Sequence, residues 1–142
     1  MKYACLFFCL WLVLAGFVFP QAGDTAAAEE FADYPSMRQR VGDLFAKKQY
    51  AAAAVILKGG LDKFPEQQLA NTFNLALSAL MLQDADKAVY WLEEGHRRGL
   101  FYGKWAFLGE LWKPLGDHAR FRDFVQENEA RIAAAQKQAS MK

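Results

Sequence analysis

Two stretches of this chain repeat each other. QYAAAAVILKGGLDKF, from Gln49, and DADKAVYWLEEGHRRG, from Asp84, match at Ala53/Ala88, Leu57/Leu92 and Gly60/Gly95, each pair 35 positions apart. A period near that length, carried by apolar residues at helical spacing, marks a stacked array of helix pairs. Alternating strand patterns are absent from the sequence. Lysine and arginine number 17 against 16 aspartates and glutamates, a net charge of +1, so no global field draws nucleic acid.

The pattern around the two stretches predicts further helices. Ser36 is placed as an N-cap, followed by a stripe of Met37, Val41, Leu44 and Phe45. Tyr50, Ala53, Leu57, Gly60 and Phe64 form the face of the second helix. Pro65 and Glu66 suit a helix start. The third helix then has Leu69, Phe73, Leu77 and Leu80 on one side and Leu75, Ala79 and Leu82 on another, so it is expected at the centre. The fourth helix has Asp84 and Asp86 at its start and His96, Arg97 and Arg98 at its end, with Glu93–Arg97 and Glu94–Arg98 as i,i+4 pairs. Gly99 ends it.

The first 28 residues read as a leader. Lys2 precedes an uncharged apolar run from Ala4 to Phe19, then Pro20 and Gly23, then Ala26-Ala27-Ala28 at the cleavage positions. That is the layout of a secretory signal peptide cut after Ala27 or Ala28, the alternative being an uncleaved N-terminal membrane anchor. Both cysteines, Cys5 and Cys9, lie in this run, so the exported part has no disulfide, thiol nucleophile or cysteine metal site. Leu6-Phe7-Phe8 before Cys9 does not make a lipidation site. A bacterial periplasm or cell envelope is the expected compartment. Residues 29–35 are a linker, 36–138 the repeat domain and 139–142 a flexible tail.

The 35-residue period, together with Tyr50, Ala53, Leu57, Gly60 and Pro65 in the first unit and Leu75, Ala76, Ala88, Leu92 and Gly95 in the second, resembles the tetratricopeptide repeat family. Ala88-x-x-Trp91, Gly95, Gly99 and Leu108-Gly109 are also similar to the related Sel1-type repeats. Arg40 and Val41 stand where leucine and glycine are typical, and the second unit lacks the closing proline. The resemblance implies an all-α right-handed superhelix of about three helix pairs with a C-terminal capping helix. It also implies a protein–protein interaction module, an adaptor or assembly factor that holds a peptide or helix in its concave groove. Carried over by position, the groove candidates are Arg38 and Phe45 from the first unit and Phe73, Asn74, Leu77 and Met81 from the second.

Between Gly99 and Phe121 the chain is crowded with aromatics. Phe101, Trp105, Leu108 and Trp112 form a helical stripe that Pro114 should end, and Asp117 can cap a last helix over roughly 118–138. The stripe of that helix is Phe121, Phe124/Val125, Asn128, Ile132 and Ala135. A third helix pair here would complete the core, which makes the aromatics mainly a plug. The alternative is an exposed rim of Tyr102, Trp105 and Phe107 that binds a glycan or small ligand.

No catalytic constellation, cofactor motif or metal set emerges. Glu93-x-x-His96 lacks the further ligands of a carboxylate-bridged metal site, so His96 is expected to be an exposed helix-terminal residue. Asp117 beside His118 is explained by capping, and Ser36, Ser78 and Ser140 lack a nucleophile elbow. Glu127 and Glu129 read as solvated charge. The expectation is a binding protein without enzymatic activity, with self-association an added possibility.

Overall fold

The computed structural model describes residues 30–103 and 106–141. The leader, its cysteines and Trp105 lie outside the described residues. Among the described residues there are five α-helices and no strand: α1 Tyr34–Ala46, α2 Tyr50–Lys63, α3 Gln68–Met81, α4 Ala85–Arg97 and α5 Ala119–Ser140. Short 3₁₀ turns cover Pro65–Gln67 and Glu110–Leu115. None of the described helices is long and apolar enough to cross a membrane.

Helix ends differ from the sequence expectation in instructive ways. Asp33, not Ser36, caps α1: its Oδ1 accepts the Ser36 N–H at 2.8 Å. Pro35 then falls in the first turn, where its missing N–H costs nothing, so Tyr34 and Pro35 belong to the helix rather than to a linker. At the other end α5 runs on through Ser140, into the segment expected to be a tail.

The repeat is written in the backbone as well as in the sequence. α1 ends at Ala46 and α3 at Met81; α2 starts at Tyr50 and α4 at Ala85; both intervals are 35 residues. Each first helix ends in the same cap. Lys48 (φ 58°) and Gln83 (φ 61°) adopt the left-handed conformation. The next residue's N–H returns to the carbonyl five positions back, Gln49 to Leu44 at 2.8 Å and Asp84 to Ala79 at 2.9 Å. This doubly bonded cap satisfies the orphan carbonyls at a helix end and sets the turn angle. Two long polar side chains in a conformation that favours glycine show that the turn is fixed by its hydrogen bonds and packing.

The core forms two clusters along the stack. Met37, Val41, Leu44, Ala53, Ile56, Leu57, Leu61 and Leu75 make the first. Ala76, Ala79, Leu80, Ala88, Val89 and Leu92 make the second, together with Tyr102, Trp112, Leu115, Phe121 and Phe124. α3 contributes to both, and its seams with α2 and α4 are the most extensive in the molecule. Its central position follows from being apolar on several sides, although Leu69 and Leu82 from the expected stripes stay exposed.

The predicted helix over 100–112 is not seen in its described residues. Over 100–103 and 106–118 the chain is an irregular connector in which the 3₁₀ turn is the one helical piece among the described residues. Among its described residues the buried aromatics are Tyr102 and Trp112, with Phe107 half-buried between them, a spacing of five rather than 3.6. Phe101 and Leu108, both on the expected stripe, are exposed at 43% and 69%. Gly103 and Gly109 weaken a helix here, and Pro114 lies inside the 3₁₀ turn. Asp117 is not the cap of α5; His118 occupies that position without a side-chain cap bond. The connector follows α4 in the chain and leads into α5.

Candidate functional site

The place where the connector meets the repeats is built from departures from the repeat. In the first unit Met37 of α1 packs over Gly60 of α2, where a Cβ would collide with the Met37 sulfur. The equivalent residue in the second unit is Thr72, and the equivalent glycine is Gly95. Threonine is the smaller side chain, and the Tyr102 ring enters the space left, its hydroxyl in close contact with Gly95. That hydroxyl donates to Thr72 Oγ1 at 3.0 Å, and Thr72 in turn donates to the Gln68 carbonyl at 2.9 Å. The position of buried Leu61 is taken by His96 in the second unit. His96 is therefore not an exposed terminal residue; it is 6% exposed, because the repeat register points it inward.

Asn128 of α5 joins these groups. Its Oδ1 accepts the Tyr102 N–H at 2.8 Å and lies 3.1 Å from His96 Nε2, and its Nδ2 donates to the Tyr102 carbonyl at 3.0 Å. A side-chain amide thus pairs with both backbone groups of one connector residue. His96 stacks on Phe124, with centroids 4.3 Å apart, and Arg131 donates to the His96 carbonyl at 3.1 Å. Burial lowers the His96 pKa below its ordinary value, with the Asn128 hydrogen bond acting against it.

Outside this core, ion pairs tie α4 to α5. Arg120 grips Glu93 through two nitrogens, at 3.2 and 2.6 Å, and His118 lies 3.2 Å from Asp86. Glu93 thus pairs across the helices rather than with Arg97. Glu94 takes Arg98 at 2.8 Å and Arg97 at 2.7 Å, and its pKa is lowered chiefly by the Arg98 hydrogen bond. Where such pairs are open to solvent, as Arg97 and Arg120 are, each adds little stability.

The groove candidates and the rim candidates, expected as separate surfaces, meet. Phe73 of α3 touches Trp112 at 5.3 Å, Tyr102 at 5.8 Å and Phe107 at 6.2 Å between centroids. Leu77 is half-buried against the same cluster. The connector therefore covers part of the face expected to be open. Arg38 and Met81 remain exposed, Asn74 is half-buried, and Phe45 packs edge-on to Tyr50 at 5.4 Å in the first cluster. Tyr102 is 2% exposed and presents no free ring for a ligand to stack on, since hydrogen bonding and the Thr72-sized gap draw it inward, whereas Phe107 is half-buried.

Clefts of about 310 Å³ open at two places among the described residues, the first beside Asn128 itself. One lies between the connector and α5, lined by Phe107, Leu108, Phe121, Arg122, Val125 and Glu129. The other lies beside Phe31, between Met37, Ile56, Lys63 and Phe64. Among the described residues no group of three or more histidines, cysteines or carboxylates could hold a metal ion. No known protein family matches the chain, and neither a curated protein nor a solved structure matches it.

Burial pushes the Tyr102 phenol up to about 12 from 10.0, with the Thr72 contact opposing. The folded state thus favours the neutral phenol. Its contribution is complete below the ordinary value and is lost as pH rises through about 12. In an alkaline absorbance titration one tyrosine should ionise late, together with unfolding. Tyr102→Phe should remove that late step and lower stability by about 1 kcal/mol, the net worth of one hydrogen bond. A late step that persists in the variant belongs to another tyrosine.

Proposed function

We propose that this chain is an exported protein–protein interaction module of the tetratricopeptide-like kind, an adaptor or assembly factor of the bacterial periplasm or envelope. The observation that carries the reading is the 35-residue interval that relates the ends of α1 and α3, the starts of α2 and α4, the left-handed turn residues and the packed glycines of two successive helix pairs. Tandem pairs in constant register build an extended face from their first helices, and such faces suit a peptide or partner helix. Of the residues proposed for that face, Arg38 on α1 and Met81 at the end of α3 are exposed, and Asn74 and Leu77 are half-buried. The apolar run before Ala26-Ala27-Ala28 supports export, as a cleaved signal peptide or an anchor.

The test is crosslinking in the native envelope. A photoreactive residue is placed at position 38 of the full chain, which carries a C-terminal tag, and captured proteins are identified by mass spectrometry. Met81, 42% exposed, is the site for interference. Met81→Asp should abolish capture of a specific partner while helicity is unchanged, because a charge there is desolvated on binding. Capture that survives Met81→Asp, or no capture above background, would reject the groove reading. The glycan or small-ligand alternative has less support, since Tyr102 and Phe107 are drawn into the core.

A further inference from the structure

The connector is held to the repeats by a small polar set, and a titratable side chain sits at its centre. Tyr102 is bound through its N–H and carbonyl to Asn128 and through its hydroxyl to Thr72. His96 Nε2 meets the same Asn128 Oδ1. That oxygen can only accept, and it already takes the Tyr102 N–H, so Nε2 carries hydrogen and Nδ1 is bare in the neutral ring. We propose that the His96–Asn128 contact is an acid-sensitive latch: protonation of His96 loosens the aromatic connector from α4 and α5 while the two helix pairs stay folded.

The surroundings of the ring decide the direction. From α5, Glu127 Oε1 lies 3.8 Å from Nδ1. The same oxygen already takes Arg131 Nε at 3.0 Å and a second Arg131 nitrogen at 2.6 Å. Arg131 itself sits against the His96 carbonyl and adds positive charge. From α4, Glu93 faces the ring more remotely and is gripped by Arg120. Phe124 of α5 and Tyr102 of the connector cover the ring with aromatic surface. Thr72 of α3 reaches the set only through Tyr102 and carries no charge. Desolvation is the largest influence and disfavours the imidazolium, followed by the opposing Asn128 bond, then Arg131, which disfavours it, and Glu127 and Glu93, which favour it.

The sign follows from linkage. In the closed state His96 titrates below its ordinary value of 6.5; in an open connector the ring is solvated and returns toward that value. Between the two, the open state binds more protons. Closure is therefore at full strength above the ordinary value and weakens as pH falls through the lower one. Loss is local because α2, α3 and α4 share the most extensive seams, whereas the seam of α5 with α4 is shorter. Regions with fewer seams open first.

Hydrogen exchange on the full chain tests this. Protection at the Tyr102 amide, corrected for the chemical exchange rate, is compared between about pH 7.5 and about pH 5, the range in which histidine titrates. It should fall several-fold, while protection at Leu57 is unchanged. His96→Gln keeps an N–H for Asn128 and cannot titrate, so its Tyr102 protection should not depend on pH. A flat wild-type profile, an equal fall in His96→Gln, or an equal fall at Leu57 overturns the proposal. Should His96→Gln not fold, the His96 midpoint is read by NMR in the wild-type chain. A midpoint below the ordinary value that coincides with loss of Tyr102 protection supports the latch; a midpoint at or above it refutes it.

Discussion

Asn128→Ala is expected to destabilise the protein by about 3–5 kcal/mol, since it strands three buried polar groups at roughly 1–3 kcal/mol each. Those groups are the N–H and carbonyl of Tyr102 and the Nε2–H of His96. Asn128 is 1% exposed, so water does not replace the lost partner without opening the site. Urea denaturation with a shifted midpoint and unchanged slope is the measurement. A loss below 1 kcal/mol, on the scale of a single net hydrogen bond, would show that the amide merely fills space. Asn128→Asp makes a sharper companion. It keeps the acceptor, loses the donor to the Tyr102 carbonyl, and places a carboxylate beside His96. The imidazolium is then favoured in the folded state, so the stability that this pair supplies is present in acid and is lost as pH rises through the raised histidine pKa. That is the opposite pH trend to the wild-type chain.

The second large effect is expected at Gly95. A methyl group there collides with the Tyr102 hydroxyl, and Thr72 Oγ1 is 3.3 Å from the added carbon. Tyr102 is a rigid ring pinned at its backbone by Asn128, so it cannot swing aside as a long aliphatic chain would. Overpacking of this kind costs about 1–3 kcal/mol, and the Tyr102–Thr72 bond is endangered with it. Alanine's better helix propensity offsets roughly 1 kcal/mol. The net expectation for Gly95→Ala is a loss of about 2 kcal/mol, on the overpacking scale, measured by the same denaturation. Gly59→Ala is the control with the reverse sign. Gly59 lies in α2 with open space where a Cβ would be, so only the propensity gain of roughly 0.5–1 kcal/mol remains. Equal responses at the two glycines would mean that the packing around Tyr102 is softer than the geometry implies.

These residues also show how far the sequence could be read. The helices up to Arg97 were legible because each carries its own stripe and the repeat supplies a second copy to check it against. The connector was not legible. Phe101 and Leu108 fit a helical stripe, yet the buried residues are those that meet Phe73 and Phe124, and such partners are set by tertiary packing rather than local period. Taken only as the end of its own helix, His96 has no local reason to be buried. Set against the first unit it falls where Leu61 is buried, and Thr72 falls where Met37 is buried. Two polar residues at apolar positions of a repeat are a signal that a polar partner arrives from elsewhere. Asn128 was already on the inward stripe of the last helix, but its partners are 26 and 32 positions away and no local rule connects them.

The shared interval has a consequence for the length of the molecule. Residues 50–84 contain α2, α3 and the turn that follows, and the next residue begins a helix just as residue 50 does. A copy of that segment inserted after Gln49 or after Asp84 would meet on each side the kind of junction already there, α2 against α3 and α3 against a second-type helix. The copied Thr72 would face a second Gly60 and would need the bulk of methionine, the residue at that place in α1, because Tyr102 fills the gap only beside Gly95. Growth by whole units is thus separable from closure of the end, and a chain with this plan can change its reach in steps of one helix pair without redesigning what stops it.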